Sequence, residues 1–318
     1  LPPVEHHWPA LVWILAAAIT TAVGQGVICW CRARRTRAAS LHRGRRSFLR
    51  HCVTWGSAMG TAGLGAYVTL VEPARLTVRR YTLALPNLPP VFHGLRVVQL
   101  SDTHYGPFVP LASIARAVEW ANRERPDLVV LTGDYVHRTP HAIADGIGIF
   151  SRLRTRFGVL AVLGNHDHWE SAARCQRRLR DVGAHLVDNT RLFLGDAGLG
   201  THPSDAARSL CLAGLGDLWE DRLDWSAALG GVPESMPRLL LAHNPDVAEL
   251  VPPELRVDGI LAGHTHGGQV RLPGWGTPLV PSRHGKKYAG GLVQGPRCPV
   301  VISRGVGLTV LPVRLGVP

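Results

Sequence analysis

Three short apolar runs, at residues 95–100, 127–132 and 158–163, recur along the chain at intervals of about thirty residues, with helical stretches at 114–125 and 142–154 between them. That rhythm restricts the fold more than any other feature. Runs this short and this uniformly apolar read as buried strands, and strands alternating with helices build a parallel sheet. Pro126 stops the first helix just before the second strand. Beyond these units the sequence predicts a helix near 169–182 and an irregular segment at 189–237 holding one strand-like run, 210–213. Two further strands are expected at 238–242 and 257–262. Residues 72–90 read as an extended connector in which 76–78 and 81–85 alternate as short strands before Pro86, Pro89 and Pro90.

Five of these strands empty into residues able to hold a metal: Asp102 and His104, Asp134, Asn165, His243, then His264 and His266. In open α/β sheets the ligand crevice lies at the carboxyl ends of the strands. One Asp or Asn there is ordinarily a helix cap or a turn former, and one His-x-His pair is more often incidental than functional. Five strand ends that together supply carboxylate, amide and imidazole answer no such structural need, because caps do not use histidine. Gly263 and Gly267-Gly268 flank the histidine pair and allow the tight turns that aim both rings into one small volume.

In order and spacing, the blocks Asp102-x-His104, Gly133-Asp134, Gly164-Asn165-His166-Asp167, His243 and Gly263-His264-Thr265-His266 resemble the calcineurin-like metallophosphoesterases, over roughly residues 75–318. The wording around Asp102 and His264 is most similar to a membrane-associated bacterial branch. That branch holds twin-arginine-exported phosphodiesterases and relatives of the UDP-2,3-diacylglucosamine pyrophosphatases. The resemblance implies an α/β fold, a four-layer α/β/β/α sandwich, around two divalent metal ions. It assigns Asp102, His104 and His266 to one ion, Asn165, His243 and His264 to the other, and Asp134 to both. His166 would be no ligand but the acid that protonates the departing alkoxide, a task suited to a side chain titrating near neutrality. Two ions sharing a carboxylate lower the pKa of a bound water and clamp the attacking and leaving oxygens of an in-line displacement at phosphorus. Mn²⁺ is the expected metal, and Fe²⁺, Zn²⁺ or Co²⁺ suit the same mixed donors. Many relatives orient the acid with an Asp three residues after the bridging one; here that place is His137, which leaves Asp167 as the nearest candidate.

The expected activity is therefore hydrolysis of a phosphodiester or pyrophosphate bond, with a phosphodiester or a lipid-linked pyrophosphate as substrate. A narrower alternative is a UDP-2,3-diacylglucosamine pyrophosphatase; one from another class is a non-catalytic metal-bearing scaffold. Tyr105, Gln269, Arg283, Lys286 and Lys287 could touch substrate, and Trp219 and Trp225 could line an acyl groove, though ordinary packing and solvated loops account for all of them equally well.

Charge and hydropathy organise the other end of the chain. Eight arginines and no acid lie from Arg32 to Arg50, so removing them from a net +12 leaves +4 for everything else, and no nucleic-acid partner is expected. Residues 10–31 carry no charge and are long enough to span a bilayer; residues 52–71 form a weaker, glycine-bearing second candidate. Between them, Arg45-Arg46-Ser47-Phe48-Leu49-Arg50 resembles a twin-arginine export signal. The expected organisation is a membrane anchor over 1–71, with helices about 10–31 and 52–71 around a basic loop 32–50, followed by the metallophosphoesterase domain over 72–318. The basic loop stays cytoplasmic. The domain then lies outside the cytoplasmic membrane, the favoured placement, if 52–71 crosses, and on the cytoplasmic face if it does not. Cys175, Cys211 and Cys298 are an odd number in the globular part, which argues against a disulfide scaffold.

Overall fold

The computed structural model describes residues 41–138, 140–203 and 205–318. Its contacts divide the chain into two units, Leu1–Glu72 and Pro73–Pro318. The described part of the first is a helix, α1 (Leu41–Ala66), continued by a π-helical turn, Tyr67–Val71. The second expected membrane span falls here, and the expectation needs correction: no described helix is long and apolar enough to cross a membrane. Gly56, Gly60, Gly63 and Gly65 dilute its apolar content, and the hydroxyls of Thr54, Thr61 and Thr69 turn back to carbonyls four residues earlier. The helix also takes in residues 41–50, which read as part of a basic loop. The other expected span, 10–31, lies outside the described residues.

The second unit is built on two sheets. The first joins β1 (Val97–Leu100), β2 (Leu128–Thr132), β3 (Gly158–Val162) and β4 (Ala184–Leu186) in that order, all parallel. Helices α2 (Leu111–Arg123), α3 (Ile143–Gly148) and α4 (Asn165–Asp181) belong with it. The second sheet contains β5 (Thr190–Gly195), β6 (Gly198–Gly200), β7 (Leu210–Gly214), β8 (Arg238–Leu241), β9 (Gly259–Ala262), β10 (Gly291–Gln294) and β11 (Pro299–Ile302), in the order β10-β11-β9-β8-β7-β5-β6. Strands β7, β8, β9 and β11 run parallel, and β5 and β10 are antiparallel to their neighbours.

Alternation along each strand sorts the side chains into three layers. Leu128 and Val130 of β2 and Leu160 and Val162 of β3 pack with Leu210 and Leu212 of β7 and Leu239 and Leu241 of β8, so the two sheets meet face to face. The intervening Val129, Leu131 and Ala161 pack under the helices with Ile114, Ile147 and Leu179. On the far side, Cys211, Ala213, Leu240 and Ile260 pack with Leu229 of α5 (Trp225–Leu229) and with Val247. Truncating one of the buried leucines to Ala costs about 2–5 kcal/mol, so each layer carries a substantial share of the stability.

Several expectations change. Residues 76–78 and 81–85 join no ladder; Leu83 and Leu85 instead pack against the layer between the sheets. The segment read as irregular holds β5, β6 and α5, and β10 and β11 had no clear sequence signal. The helix expected from 169 starts at Asn165, which puts Asn165 and His166 in its first turn. Cys175, Cys211 and Cys298 are buried and unpaired.

Candidate metal centre

The carboxyl ends of β1, β2, β3, β8 and β9 deliver their following residues to one seam between the two sheets. Backbone hydrogen bonds stitch it: Asp102 N–H to Gly133 O (2.9 Å), His104 N–H to Asp134 O (3.0 Å) and Gly263 N–H to His243 O (2.9 Å). Asp102, His104 and His266 bring one donor atom each to within 4.8 Å of one another, and so do Asp134, His243 and His264. All six are buried. Asp134 lies between the two groups. Its Oδ2 is 3.2 Å from His243 Nε2 and 3.5 Å from His104 Nε2, while Oδ1 accepts the His166 N–H at 2.9 Å. Asn165 follows Gly164 at the start of α4, and neither of its buried side-chain polar atoms has a hydrogen-bond partner among the described residues.

The backbone here is held against its preferences. Asp102, His104, Asp134, His264 and His266 all have φ between +44° and +68°, the left-handed region that side chains rarely adopt and that clusters at functional sites. The glycines between them are sterically required. A Cβ on Gly263 would run into Asp102 and Ser101, and one on Gly133 would come within 2.8 Å of His243 Nδ1.

The electrostatics call for positive charge. Burial alone raises the Asp134 carboxyl, but His243, His166 and His104 outweigh it and hold it well below the usual range. Burial likewise lowers His243, but the charge on Asp134 wins and raises it well above the ordinary value. His264 is pushed down to about 3, by burial first and then by His243. Among the described residues the ion-pair partners of Asp102 and Asp134 are imidazoles alone. Nitrogens of His104 and His266 lie 2.9 Å apart, and those of His264 and His243 3.1 Å. Two buried carboxylates and pairs of imidazole nitrogens this close are reconciled by a cation between them. The donors fit divalent ions of the borderline class, and His104 Nδ1, His264 Nε2, His266 Nδ1 and both polar atoms of Asn165 have no hydrogen-bond partner among the described residues. The Nδ1–H of His243 donates to Thr132 O (2.7 Å), which turns its Nε2 toward Asp134.

His166 stands at the edge of this group. Its Nδ1 is 3.0 Å from His137 Nδ1, its Nε2 is 3.5 Å from Thr309 Oγ1, and its ring meets His104 and Trp169 edge to face. Burial lowers its pKa despite the pull of Asp134, and burial with His166 takes His137 down to about 4. Asp167, expected from sequence to orient His166, is used elsewhere: Oδ2 accepts the Asp134 and Gly164 N–H groups and Oδ1 that of Tyr135. Its carboxylate fixes the turn that carries Asp134. The ring's neighbour is His137, the very residue that breaks the expected pattern.

Three residues near the centre had no decisive sequence signal. Thr309 comes from the loop after β11 and is held there by Gln269, which bonds both its N–H and its C=O. Trp169 sits edge-on to His166, with ring centroids 4.4 Å apart, and its Nε1–H donates to Glu220 (2.8 Å). Trp219 packs edge-on against His264, also at 4.4 Å, so it belongs to the rim of the centre. Lys287 and Lys286 are engaged with Glu249 and the Trp275 carbonyl, and the Arg283 N–H with Asp246.

The chain matches the calcineurin-like phosphoesterase family over residues 95–268. It is 31% identical over 257 residues to an uncharacterized metallophosphoesterase, YkuE, of Bacillus subtilis, covering 80% of this chain and 87% of that one. It is 34% identical over 275 residues to phosphodiesterase YaeI of Escherichia coli, covering 83% and 92%. With UDP-2,3-diacylglucosamine pyrophosphatase LpxG of Chlamydia trachomatis it shares 26% identity over 240 residues, covering 64% and 73%.

Proposed function

The chain belongs to the calcineurin-like phosphoesterases, and from that premise we propose that it hydrolyses a phosphodiester or pyrophosphate bond at a binuclear centre. Asp102, His104 and His266 would hold one divalent ion, Asn165, His243 and His264 the other, and Asp134 would serve both. The observation that carries this reading is the position of Asp134 Oδ2, between His243 of one group and His104 of the other. Bound there, two ions would polarise the phosphoryl oxygens and activate a water for in-line attack. Mn²⁺ is the first metal to try, with Fe²⁺, Zn²⁺ and Co²⁺ next.

The chain's own residues supply the rest. If His137 donates to His166 Nδ1, His166 keeps its proton on Nε2 and can present it to the leaving oxygen. The N–H of His166 fixes Asp134 Oδ1 and leaves Oδ2 for the metals. Trp169 and Trp219, seated on His166 and His264, wall the centre and limit access of water. Residues 10–31 would attach the enzyme to a membrane.

The test is hydrolysis of bis-p-nitrophenyl phosphate and p-nitrophenyl phosphate by the whole chain, stripped with chelator and resupplied with Mn²⁺, beside Asp134→Asn and His166→Ala. Metal-dependent turnover of the diester, lost in Asp134→Asn and reduced about 10²–10⁴-fold in His166→Ala, supports the reading. A folded protein that binds two ions and turns over neither compound refutes a general diesterase. A narrow pyrophosphatase or a scaffold would then be favoured. A reporter fused after Pro318 that works only in the cytoplasm would also favour the lipid-nucleotide substrate.

A further inference from the structure

The loop after β11 runs beside Asp102 and is fixed at three places. Val306 N–H donates to Ser101 O (3.0 Å) and Gly307 N–H to Asp102 O (2.7 Å), which ties the loop to the turn after β1. The buried guanidinium of Arg314 gathers the carbonyls of Arg304, Gly305 and Gly307 at 3.0, 2.9 and 2.6 Å. Gln269, also buried, bonds both the N–H and the C=O of Thr309. A Cβ on Gly307 would run into the Thr103 carbonyl, so the loop lies as close to that turn as it can.

All of these bonds hold the backbone without help from the Thr309 hydroxyl. That hydroxyl faces the centre, and its Oγ1 lies 3.5 Å from His166 Nε2. The separation is long for a direct hydrogen bond. An oxygen about 2.8 Å from each of the two atoms would close a triangle on that side and bond both. The next residue, Val310, has φ +55°, a left-handed value that β-branched residues seldom take. Strain kept beside a hydroxyl that the loop does not need points to a residue held for chemistry.

We propose that the Thr309 hydroxyl binds the leaving-group oxygen of the substrate together with His166 Nε2, which makes it a further catalytic residue of this centre. The assignment rests on the phosphoesterase reading given above. When the P–O bond breaks, its electron pair stays on the departing oxygen, which leaves as an alcohol with the proton from His166. The water whose oxygen replaces it on phosphorus gives one proton to solvent, so diester and water yield monoester and alcohol. The Thr309 O–H donates to the departing oxygen where negative charge develops. Its effect therefore grows with the basicity of the alcohol, and it suits the site to esters of ordinary, unactivated alcohols.

The test is kcat/KM of the whole chain with Mn²⁺ on methyl p-nitrophenyl, methyl p-chlorophenyl and methyl phenyl phosphate, beside Thr309→Val and Thr309→Ser. Thr309→Val keeps the shape and loses the hydroxyl. It should lower kcat/KM by about tenfold or more on the phenyl ester, the worth of a hydrogen bond to a charged oxygen, and by less than about threefold on the nitrophenyl ester. Its melting temperature should not move, and Thr309→Ser should retain most of the activity on all three. In a His166→Ala background the same dependence on leaving group should persist; its disappearance would show that Thr309 acts only through His166 and would overturn the contact. Equal loss on all three esters, no loss on any, or a Thr309→Ser variant as slow as Thr309→Val would overturn the assignment while wild-type turnover upheld the phosphoesterase reading. A wild-type chain without metal-dependent turnover of any ester would fail that reading and take this assignment with it.

Discussion

Nδ1 of His137 lies 3.0 Å from Nδ1 of His166, and no carboxylate takes that place. One proton between two imidazoles positions the ring with less charge behind it than an aspartate would supply. His137→Ala should therefore lower kcat for the diester by about 10- to 100-fold and leave KM nearly unchanged, since misplacement of a catalytic group costs up to about 10²-fold. Placed in a His166→Ala background, the same substitution should cost almost nothing. Equal losses in both backgrounds would show that His137 acts independently of His166.

Asp167 gathers three backbone N–H groups from the turns after β2 and β3. Asp167→Ala strands all three in a buried site and should destabilise the chain by about 3 kcal/mol or more. Asp167→Asn keeps one acceptor oxygen and should fall between. Because these turns carry Asp134 and Asn165, metal affinity should drop with stability, which calorimetric titration with Mn²⁺ can read. A variant that melts early yet binds both ions normally would contradict the coupling.

Asp188 accepts the Leu163 N–H at the end of β3, but burial pushes its carboxyl up to about 7. In the unfolded chain it ionises near about 3.9. Below both values it is neutral in either state and costs nothing. As pH rises from about 4 towards 7 only the unfolded chain gives up the proton, so stability falls through that window and the deficit stays constant above it. Asp188→Asn should thus raise the melting temperature at pH 8 by about 3 °C or more and leave it unchanged at pH 4. The same gain at both pH values would show that ionisation is not the cause.

Trp169 is tethered at Nε1 to Glu220 while its ring lies against His166. Trp169→Ala should raise KM for bis-p-nitrophenyl phosphate by about 2- to 10-fold, the worth of one aromatic contact. Trp169→Phe, which keeps a ring and loses the tether, should show a smaller rise. Steady-state kinetics on both variants separate the ring from the tether.

Sequence carried the first sheet because β2 and β3 are buried on both faces and read as continuous apolar runs. It also carried the cluster of Asp, Asn and His at the strand ends, which the structure brings together, since packing does not ask for those residue types there. It did not carry β10 or β5, where Gly291-Leu-Val-Gln294 and Thr190-Arg-Leu-Phe-Leu-Gly195 are short and half-buried, with few strand formers in a row. It gave Leu83 and Leu85 the alternation of a strand although they cover an edge without joining a ladder. The pairing of His137 with His166 was out of reach for a different reason: the two residues stand 29 positions apart and meet only because β2 and β3 are parallel neighbours.

The seam between the sheets also sets an order of events during synthesis. Asp102, His104, Asp134 and Asn165 leave the ribosome with the first sheet, whereas His243, His264 and His266 follow with the second, and the loop bearing Thr309 emerges after them. A nascent chain arrested before residue 243 holds Asp102, His104, Asp134 and Asn165 but lacks His243, His264 and His266, and has nothing to place across Asp134. Such a chain should be unable to turn over substrate, so the reactive centre comes into being only when the two halves close on each other.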